Sequence, residues 1–244
     1  MASHKHRLDR FISLKTGIPK GDVRLLIAQK RVLINHQFAQ SVLERVDQFS
    51  IVSLDGKLLQ DKQAIYLAMN KPIGVVSATK DDQHRTVIDL LRESENLPIS
   101  CDEVDSLHIV GRLDLNSSGL LLLTNNSDWS KHLMSPENKV KKVYEVTLEK
   151  PISDECIEAF ATGIYFPFED ITTKPAKLER LSKTTARVTL TEGKYHQIKR
   201  MFGRFRNQVL SLHRVSIGNV QLTTDIETGM IKILDPEEIK FQGV

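Results

Sequence analysis

One stretch near the middle of the chain constrains the fold more than any other. Residues 108–126 read His-Ile-Val-Gly-Arg-Leu-Asp-Leu-Asn-Ser-Ser-Gly-Leu-Leu-Leu-Leu-Thr-Asn-Asn. Apolar runs bounded by turn-forming residues are typical of buried strands, so two strands are predicted here. The polar stretch 116–119 predicts the turn between them, because Asn, Ser and Gly tolerate unusual backbone angles. Arg112 and Asp114 are therefore expected at the rim of a rigid sheet.

The spacing of Arg112 and Asp114 leaves two interpretations open. On an extended strand, residues two apart project to the same face, which brings the two side chains together. A carboxylate held on a rigid scaffold can act as a nucleophile or a base. An Arg-x-Asp pair beside a turn is also typical of a solvated ion pair or an Asx turn. The pair alone does not decide between a catalytic site and a simple turn.

The composition narrows the class of protein. The chain has 244 residues, enough for one large domain or two unequal ones, and 40% hydrophobic with 27% charged residues is ordinary for a soluble globular protein. No run of about 18 apolar residues occurs, so no membrane-spanning helix is expected. Cys101 and Cys156 are too few for a disulfide framework or a zinc cluster, and they fit a reducing cytoplasm. The eight histidines are scattered, so no metal site is expected.

Charge is distributed unevenly along the chain. Residues 1–60 contain ten Lys or Arg and five Asp or Glu, a net charge of +5, which leaves −2 for residues 61–244 because the total is +3. Apolar residues at helical spacing predict two helices in the first segment, separated at Gly17 and Pro19. We expect a nucleic-acid anchor over 1–60 and a catalytic domain over 61–244, joined by a connector near 55–62. A solvated basic face is the alternative interpretation of the first segment.

Basic residues of the first segment are candidates for binding the nucleic-acid backbone. Side chains on the polar positions of its predicted helices, and of a short strand expected after the second helix, can follow phosphates without reading bases. They are Arg7, Arg10, Lys20, Arg24, Lys30 and Arg31. The order helix, turn, helix, strand resembles the small RNA-binding S4 domain of a ribosomal small-subunit protein and of bacterial tyrosyl-tRNA synthetases. It also resembles a DNA-binding helix-turn-helix, so this order alone leaves the kind of nucleic acid open.

Three further segments combine a regular hydrophobic pattern with polar side chains. Alternating residues predict strands, and apolar residues at positions i, i+3 and i+4 predict a buried helix face. The segments are a strand over 65–69 followed by Asn-Lys-Pro-Ile-Gly, a strand over 141–148 around Tyr144, and a helix within 194–206 that carries Lys199 and Arg200.

These strings closely resemble the RsuA-type pseudouridine synthases. Gly-Arg-Leu-Asp followed by Ser-Gly and four leucines is similar to the family's catalytic motif. Asn-Lys-Pro-Ile-Gly, Lys-Val-Tyr-Glu-Val, Gly-Lys-Tyr-His-Gln-Ile-Lys-Arg-Met and Leu-His-Arg-Val-Ser-Ile-Gly fit the same family in the expected order. The resemblance covers nearly the full chain. It implies an α+β fold, with a small S4-like domain followed by a synthase domain whose mixed, mostly antiparallel sheet is flanked by helices.

The resemblance also implies roles for individual residues. Asp114 becomes the catalytic carboxylate, Tyr144 the ring that stacks on the target uracil, and Lys199 the cation that pairs with Asp114. Contacts to the substrate are expected from Arg112, Leu212, Lys71 and Arg214. A contact to the RNA is expected from Arg200, whereas His196 is expected to be a satisfied structural histidine.

The implied reaction isomerises a uridine of ribosomal RNA. The bond between C1′ and N1 breaks and the base is rejoined through C5, with no redox step, so no cofactor is expected. The carboxylate can attack carbon or remove the ribose 2′ proton, and the sequence leaves this choice open. Residues 135–136 and 173–176 resemble the branch of the family that acts on small-subunit ribosomal RNA. We therefore expect 16S rRNA, or an assembly intermediate of the small subunit, as the partner. The enzyme is expected to be a monomer.

Three alternatives remain beside this interpretation. Family members that act on 23S rRNA share nearly the same motifs. A non-catalytic RNA-binding assembly factor could keep the fold without turnover. A hydrolase could use Asp114 as its nucleophile, but a second carboxylate or a metal to activate water is not evident in the motifs.

Overall fold

The computed structural model describes residues 5–94, 97 and 99–240. Contacts within the chain divide it into two compact units, one ending at Ala64 and one beginning at Ile65. The segment near 55–62, where a connector was expected, is therefore part of the first unit.

The first unit combines two helices with short antiparallel strands in its described residues. They are β1 (His6–Arg7), α1 (Leu8–Thr16), α2 (Lys20–Ala28), β2 (Val32–Ile34), β3 (Gln37–Phe38), β4 (Arg45–Val46), β5 (Val52–Leu54) and β6 (Lys57–Gln60). One sheet has the order β3-β2-β5-β6, and β1 pairs with β4. The prediction of two helices followed by a strand is confirmed.

Local sequence explains where these helices begin and end. Helix α1 ends at Gly17, which adopts a left-handed conformation (φ 78°) and donates its N–H to the carbonyl of Ser13. Pro19 directly precedes α2, where its missing N–H costs no hydrogen bond within the helix. The apolar faces of both helices pack on the small sheet in one core that includes Leu8 and Val23.

The predicted connector is wrong over residues 55–60. Asp55 and Gly56 have φ angles of 52° and 76° and form the turn of the hairpin between β5 and β6. Asp-Gly at such a pair of left-handed positions is a strong hairpin signal, and it outweighs the polar composition that suggested a linker.

The second unit contains a large sheet with helices packed against it. Its helices are α3 (Val87–Arg92), α4 (Cys101–Asp105), α5 (Ser127–Met134), α6 (Asp154–Thr162) and α7 (Gln197–Gly203). Its strands are β7 (Tyr66–Lys71), β8 (His108–Val110), β9 (Ser118–Thr124), β10 (Lys142–Leu148), β11 (Tyr165–Phe166), β12 (Ile171–Thr172), β13 (Lys177–Arg180), β14 (Thr185–Leu190), β15 (Val209–Ile217), β16 (Val220–Gln221) and β17 (Ile231–Ile233).

The large sheet is mixed and mostly antiparallel. Its order is β13-β14-β10-β15-β9-β7-β17, with β8 paired to β9 and β16 paired to β15. Strands β9 and β15 run parallel, and the other pairs of this sheet run antiparallel. The prediction of a second domain with a mixed, mostly antiparallel sheet flanked by helices is confirmed. None of the helices in the described residues is both long and apolar enough to cross a membrane.

Strand β9 lies at the centre of the sheet, and this position explains its four consecutive leucines. Leu121 and Leu123 belong to the core on one face of the sheet, whereas Leu120 and Leu122 belong to the core on the other face. All four side chains are fully buried. A strand covered on both faces needs apolar residues at every position rather than at alternate ones.

The turn before β9 differs from the prediction. Ser118 and Gly119, expected in the turn, are the first residues of β9, and residues 111–117 form the connecting loop. Gly119 pairs with Arg214 across the parallel contact between β9 and β15. Its φ is 101°, and a Cβ atom there would lie 2.3 Å from the carbonyl oxygen of Arg214. Only a glycine allows the two strands to approach so closely.

Helix α4 has no counterpart in the prediction. Within 80–106, apolar residues recur at helical spacing only around 87–91, where α3 is found. Helix α4 is short and buries a single side chain, Val104, so it shows no hydrophobic periodicity. Its signal is instead a capping box in which Ser100 and Glu103 satisfy each other's backbone N–H groups.

Substitution of Gly119 tests the close contact between β9 and β15. We expect Gly119→Ala to lower the free energy of unfolding by about 3 kcal/mol, because the added carbon adds a backbone clash to an unfavourable φ. Gly203→Ala is the matched control, since among the described residues no atom beyond its chain neighbours and its own helix backbone lies within 4 Å of the added carbon. Urea denaturation of both variants measures the difference, and equal stabilities would contradict this role of Gly119.

Candidate active site

The loop 111–117 is held by a buried guanidinium. Arg214 on β15 is only 1% exposed. It donates from Nε to the carbonyl of Leu120 at 2.7 Å, from Nη1 to that of Arg112 at 3.3 Å and from Nη2 to that of Gly111 at 3.3 Å. Because buried carbonyl groups need partners, this one side chain fixes where the loop leaves β8 and where β9 begins.

Two other side chains fix the remainder of the loop. Lys71 at the end of β7 is fully buried and donates from Nζ to the carbonyl of Ser117 at 2.8 Å and to that of Pro72 at 2.8 Å. The hydroxyl of Ser77 donates to the carbonyl of Leu113 and accepts from the N–H of the same residue. The main chain on both sides of residue 114 is thus anchored by side chains from other strands and loops.

Burial changes the ionisation of Lys71. Loss of hydration lowers the pKa of its ammonium to about 8, against an ordinary value of 10.5. The carboxylate of Asp114 raises the pKa of Lys71, and the guanidinium of Arg214 lowers it further. Lys71 therefore carries a positive charge near Asp114 at neutral pH, while its hydrogen bonds go to carbonyl groups.

Asp114 projects from this anchored loop and meets two nitrogen atoms. Its Oδ2 lies 3.1 Å from Nζ of Lys199, and its Oδ1 lies 3.3 Å from Nε2 of His196. The side chain of Asp114 is 31% exposed, so a ligand can reach the carboxylate while both partners hold it. Lys199 belongs to α7, and His196 directly precedes that helix.

The position of His196 follows from the polar contacts of its loop. Glu192 is buried, and its Oε1 accepts from the backbone N–H of Lys174 and from Nε2 of Gln197. The Oε1 of Gln197 in turn accepts from the N–H of Lys194. His196 itself has a left-handed backbone (φ 47°), which turns the chain into α7 and directs the imidazole towards Asp114.

A cavity of about 250 Å³ opens beside Asp114. Tyr144 on β10 forms one of its walls, and the Tyr144 hydroxyl accepts from Nη1 of Arg214 at 3.4 Å. Leu212 adds a second apolar wall. Lys142 lines the cavity as well, and burial together with the charge of Arg214 lowers its pKa. A flat ring can therefore lie between apolar walls, with cations at the rim.

Ser117 contributes an unsatisfied hydroxyl to the same cavity. The residue is 1% exposed, and its Oγ has no hydrogen-bond partner in the described part of the chain. A buried hydroxyl without a partner is costly, so it is suited to bind a polar atom of a ligand.

The structure brings most of the predicted site residues together. Five of them line the cavity: Arg112, Asp114, Tyr144, Leu212 and Arg214. Lys199 reaches the cavity through its contact with Asp114. Lys71 lies behind the loop and does not line the cavity. Arg200 is held elsewhere, in an ion pair with Glu169 and with its guanidinium carbon 4.2 Å from the centre of the Phe166 ring.

The candidate RNA-binding residues of the first unit are all exposed. Two of them are engaged in ion pairs, Arg7 with Asp9 and Arg31 with Asp55. Salt bridges are not found for the other four in the residues that the structure describes; they are Arg10, Lys20, Arg24 and Lys30.

The contact of His196 with Asp114 is not predicted by the sequence. A satisfied structural histidine is expected there, and the structure gives it the carboxylate of Asp114 as a partner, with the side chain 35% exposed. Two signals in the sequence were available. The residue follows the Gly-Lys-Tyr turn directly, and it precedes the first turn of a helix that carries Lys199.

Residues suited to holding a metal are not grouped in this part of the molecule. Across the described ranges, no cluster of three or more His, Cys, Asp or Glu side chains is arranged to bind a metal ion.

Comparison with known proteins gives consistent results. The model of the RNA pseudouridylate synthase family matches residues 65–203. The chain is 45% identical to ribosomal small subunit pseudouridine synthase A of Pseudomonas aeruginosa, over 96% of this chain and 98% of the relative. It is 37% identical to the protein of the same name from Escherichia coli K12, over 96% and 98%. A crystal structure of a pseudouridylate synthase superposes with a TM-score of 0.67 at 35% identity, covering 96% of this chain and 97% of that one.

The low pKa of Lys71 predicts a specific dependence of stability on pH. Between pH 8 and 10.5 the folded protein loses the Lys71 proton, whereas the unfolded chain keeps it. The cost of burying the charge therefore disappears as the pH rises, and wild type should gain stability relative to Lys71→Met by about 3 kcal/mol. Urea denaturation of both proteins from pH 7 to 10.5 measures this gain. Parallel curves would show that Lys71 is not held as a buried cation.

Proposed function

The chain belongs to the RNA pseudouridylate synthase family, and from this premise we propose that it isomerises one uridine of small-subunit (16S) ribosomal RNA with Asp114 as its catalytic carboxylate. The observation that carries the assignment of Asp114 is its position on the cavity wall, between the ammonium of Lys199 and the imidazole of His196. The relatives named for the small ribosomal subunit support the choice of RNA.

The cavity supplies what the isomerisation requires. The target base leaves the RNA stack, which costs a few kcal/mol, and stacking on Tyr144 beside Leu212 offsets that cost. Asp114 acts as an anion, either on a ribose carbon or on the 2′ proton, and Lys199 stabilises the charge that either route needs. The C1′–N1 bond then breaks and a C1′–C5 bond forms, and Asp114 either leaves the ribose carbon as that bond forms or returns the proton to C2′. The C5 proton passes to solvent and N1 gains a proton, so the atoms balance.

The remaining polar residues divide into two groups. Arg112 lies next to Asp114 on the cavity wall, where its guanidinium can fill the gap left by the flipped base or hold a phosphate. Arg214 and Lys71 instead use their donors on the loop 111–117 and on neighbouring carbonyls. We therefore assign them to positioning Asp114 rather than to the direct substrate contacts expected from the sequence.

The first unit serves in this proposal as an S4-like RNA anchor. The two helices beside a small sheet, and the exposed basic residues on them, support that assignment. The substrate is 16S rRNA or an assembly intermediate of the small subunit, and the enzyme acts in the cytoplasm as a monomer. Cys101 and Cys156 are both free, which suits a reducing compartment.

Removal of the carboxylate tests the assignment of Asp114. We expect Asp114→Asn to keep the fold and RNA binding but to lower tritium release from 5-tritiated uridine in 16S rRNA by on the order of 10⁴-fold or more. Asp102→Asn, at an exposed carboxylate on α4, is the matched control and should be fully active.

A second measurement, made in cells, identifies the target RNA. A strain without this protein should lack one pseudouridine in its 16S rRNA, and wild type should restore it while Asp114→Asn should not. Loss of a pseudouridine only from 23S rRNA would overturn the choice of RNA. Near-normal release of tritium by a folded Asp114→Asn would overturn the choice of catalytic residue.

Charge reversal in the first unit tests the proposed anchor. We expect Arg10→Glu combined with Arg24→Glu to weaken binding to 16S rRNA and to reduce the slope of log K against log salt by about 1.5, because two phosphate contacts are lost. Lys177→Glu combined with Lys183→Glu changes the charge equally within the second unit and serves as the control. An unchanged affinity and slope in the first double variant would show that this face does not bind RNA.

A further inference from the structure

A second recess lies next to Asp114, and the proposed isomerisation does not use it. Its volume is about 390 Å³, and we call it the outer recess. Residues 76–78 and Asp81, from the segment after β7, line it together with Tyr195. Six residues line both the outer recess and the cavity proposed for the uracil: Leu113, Gly193 and the polar residues Arg112, Asp114, Lys194 and His196. The two spaces are therefore neighbours that share a charged wall.

Tyr195 presents a large aromatic surface at the outer recess. The residue is 71% exposed, and its ring stacks on the imidazole of His196 with 3.9 Å between centres and 18° between planes. His196 is fixed in turn by its left-handed backbone and by Asp114. An exposed ring that is held in one orientation is a suitable platform for an unpaired nucleobase.

Asp81 gives the recess a hydrogen-bond acceptor. Its Oδ1 accepts from the backbone N–H groups of Gln83 and His84 at 2.9 and 2.8 Å, which fixes the carboxylate in its loop. These N–H groups also lower the pKa of Asp81, so it stays ionised at neutral pH. An anionic acceptor at the edge of a base site favours bases that carry an exocyclic amino group.

We propose that the outer recess binds the base of the nucleotide adjacent to the target uridine, stacked on Tyr195, with preference for a base that carries an exocyclic amino group. The inference rests on the proposed function, because it places the target uracil in the cavity beside Tyr144. The shared wall supports adjacency along the RNA. Arg112 and Lys194 line both spaces, a position from which they can bind the phosphate that would link two consecutive nucleotides.

Kinetics of Tyr195 variants test the stacking. On a 16S rRNA fragment that contains the target, Tyr195→Ala should raise KM about tenfold and leave kcat within about twofold, as expected for the loss of one stacked base. Tyr195→Phe keeps the ring and should behave as wild type. Tyr165→Ala removes another exposed tyrosine of the same unit, outside both spaces, and should also be unchanged.

An RNA with a missing base identifies the partner of Tyr195. An abasic nucleotide is placed on the 5′ side or on the 3′ side of the target. At one of these positions it should raise KM about tenfold with wild type and have no further effect with Tyr195→Ala, because both changes remove the same contact. An RNA with uridine at that position should have a higher KM than an RNA with adenosine or cytidine there. Asp81→Asn should reduce this difference in KM.

The outcomes separate this inference from the proposed function. Unchanged KM in Tyr195→Ala, or fully additive effects of the variant and of the abasic RNA at both positions, would overturn the inference while wild type still releases tritium. Absence of tritium release by wild type on the intact RNA would overturn the proposed function and this inference together.

Discussion

The active-site geometry depends on hydrogen bonds between two buried cations and the carbonyl groups of one loop. Arg214 and Lys71 reach the loop 111–117 from β15 and β7, the strands on either side of β9. Burying a charge is expensive unless strong acceptors surround it, and carbonyl oxygens are such acceptors. The cations and the loop therefore stabilise each other, and Asp114 takes its position from both.

Close packing of the central strands makes this arrangement possible. Strand β9 is covered on both faces, and Gly119 lets the main chain of β15 approach at Arg214. The same approach delivers the Arg214 side chain to the carbonyls of Gly111 and Arg112. Arg214 therefore has two roles, because its main chain pairs with Gly119 and its side chain holds the loop.

Much of this could be read from the sequence, and the exceptions have physical causes. Four consecutive leucines and the alternation around Tyr144 predict strands, and the string around Asp114 indicates the site. The sequence predicts the turn too late because Ser118 and Gly119 have turn-like composition, whereas pairing with β15, which is distant in sequence, makes them part of β9. Asp55 and Gly56 resemble a linker for a similar reason, since polar composition alone does not distinguish a tight hairpin from a connector.

The roles of single polar residues were harder to predict, because a role depends on where the donors of a side chain go. Lys71 and Arg214 are cationic residues of the kind that bind an RNA substrate, yet they donate hydrogen bonds to carbonyl groups inside the protein. His196 was expected to be structural, although it faces Asp114, because its left-handed backbone is not visible in the hydrophobic pattern. Periodicity describes which face is buried and carries no information on the partner of a polar atom.

The hydrogen bonds of the loop 111–117 have a consequence for how such enzymes diverge. Each carbonyl from Gly111 to Leu115, and that of Ser117, already accepts from another group of the protein. These carbonyl groups therefore have little capacity left to accept from an RNA, and we expect discrimination between targets to fall to the side chains around them. Exchange of those side chains can redirect the enzyme to a new nucleotide while the reaction centre is inherited unchanged.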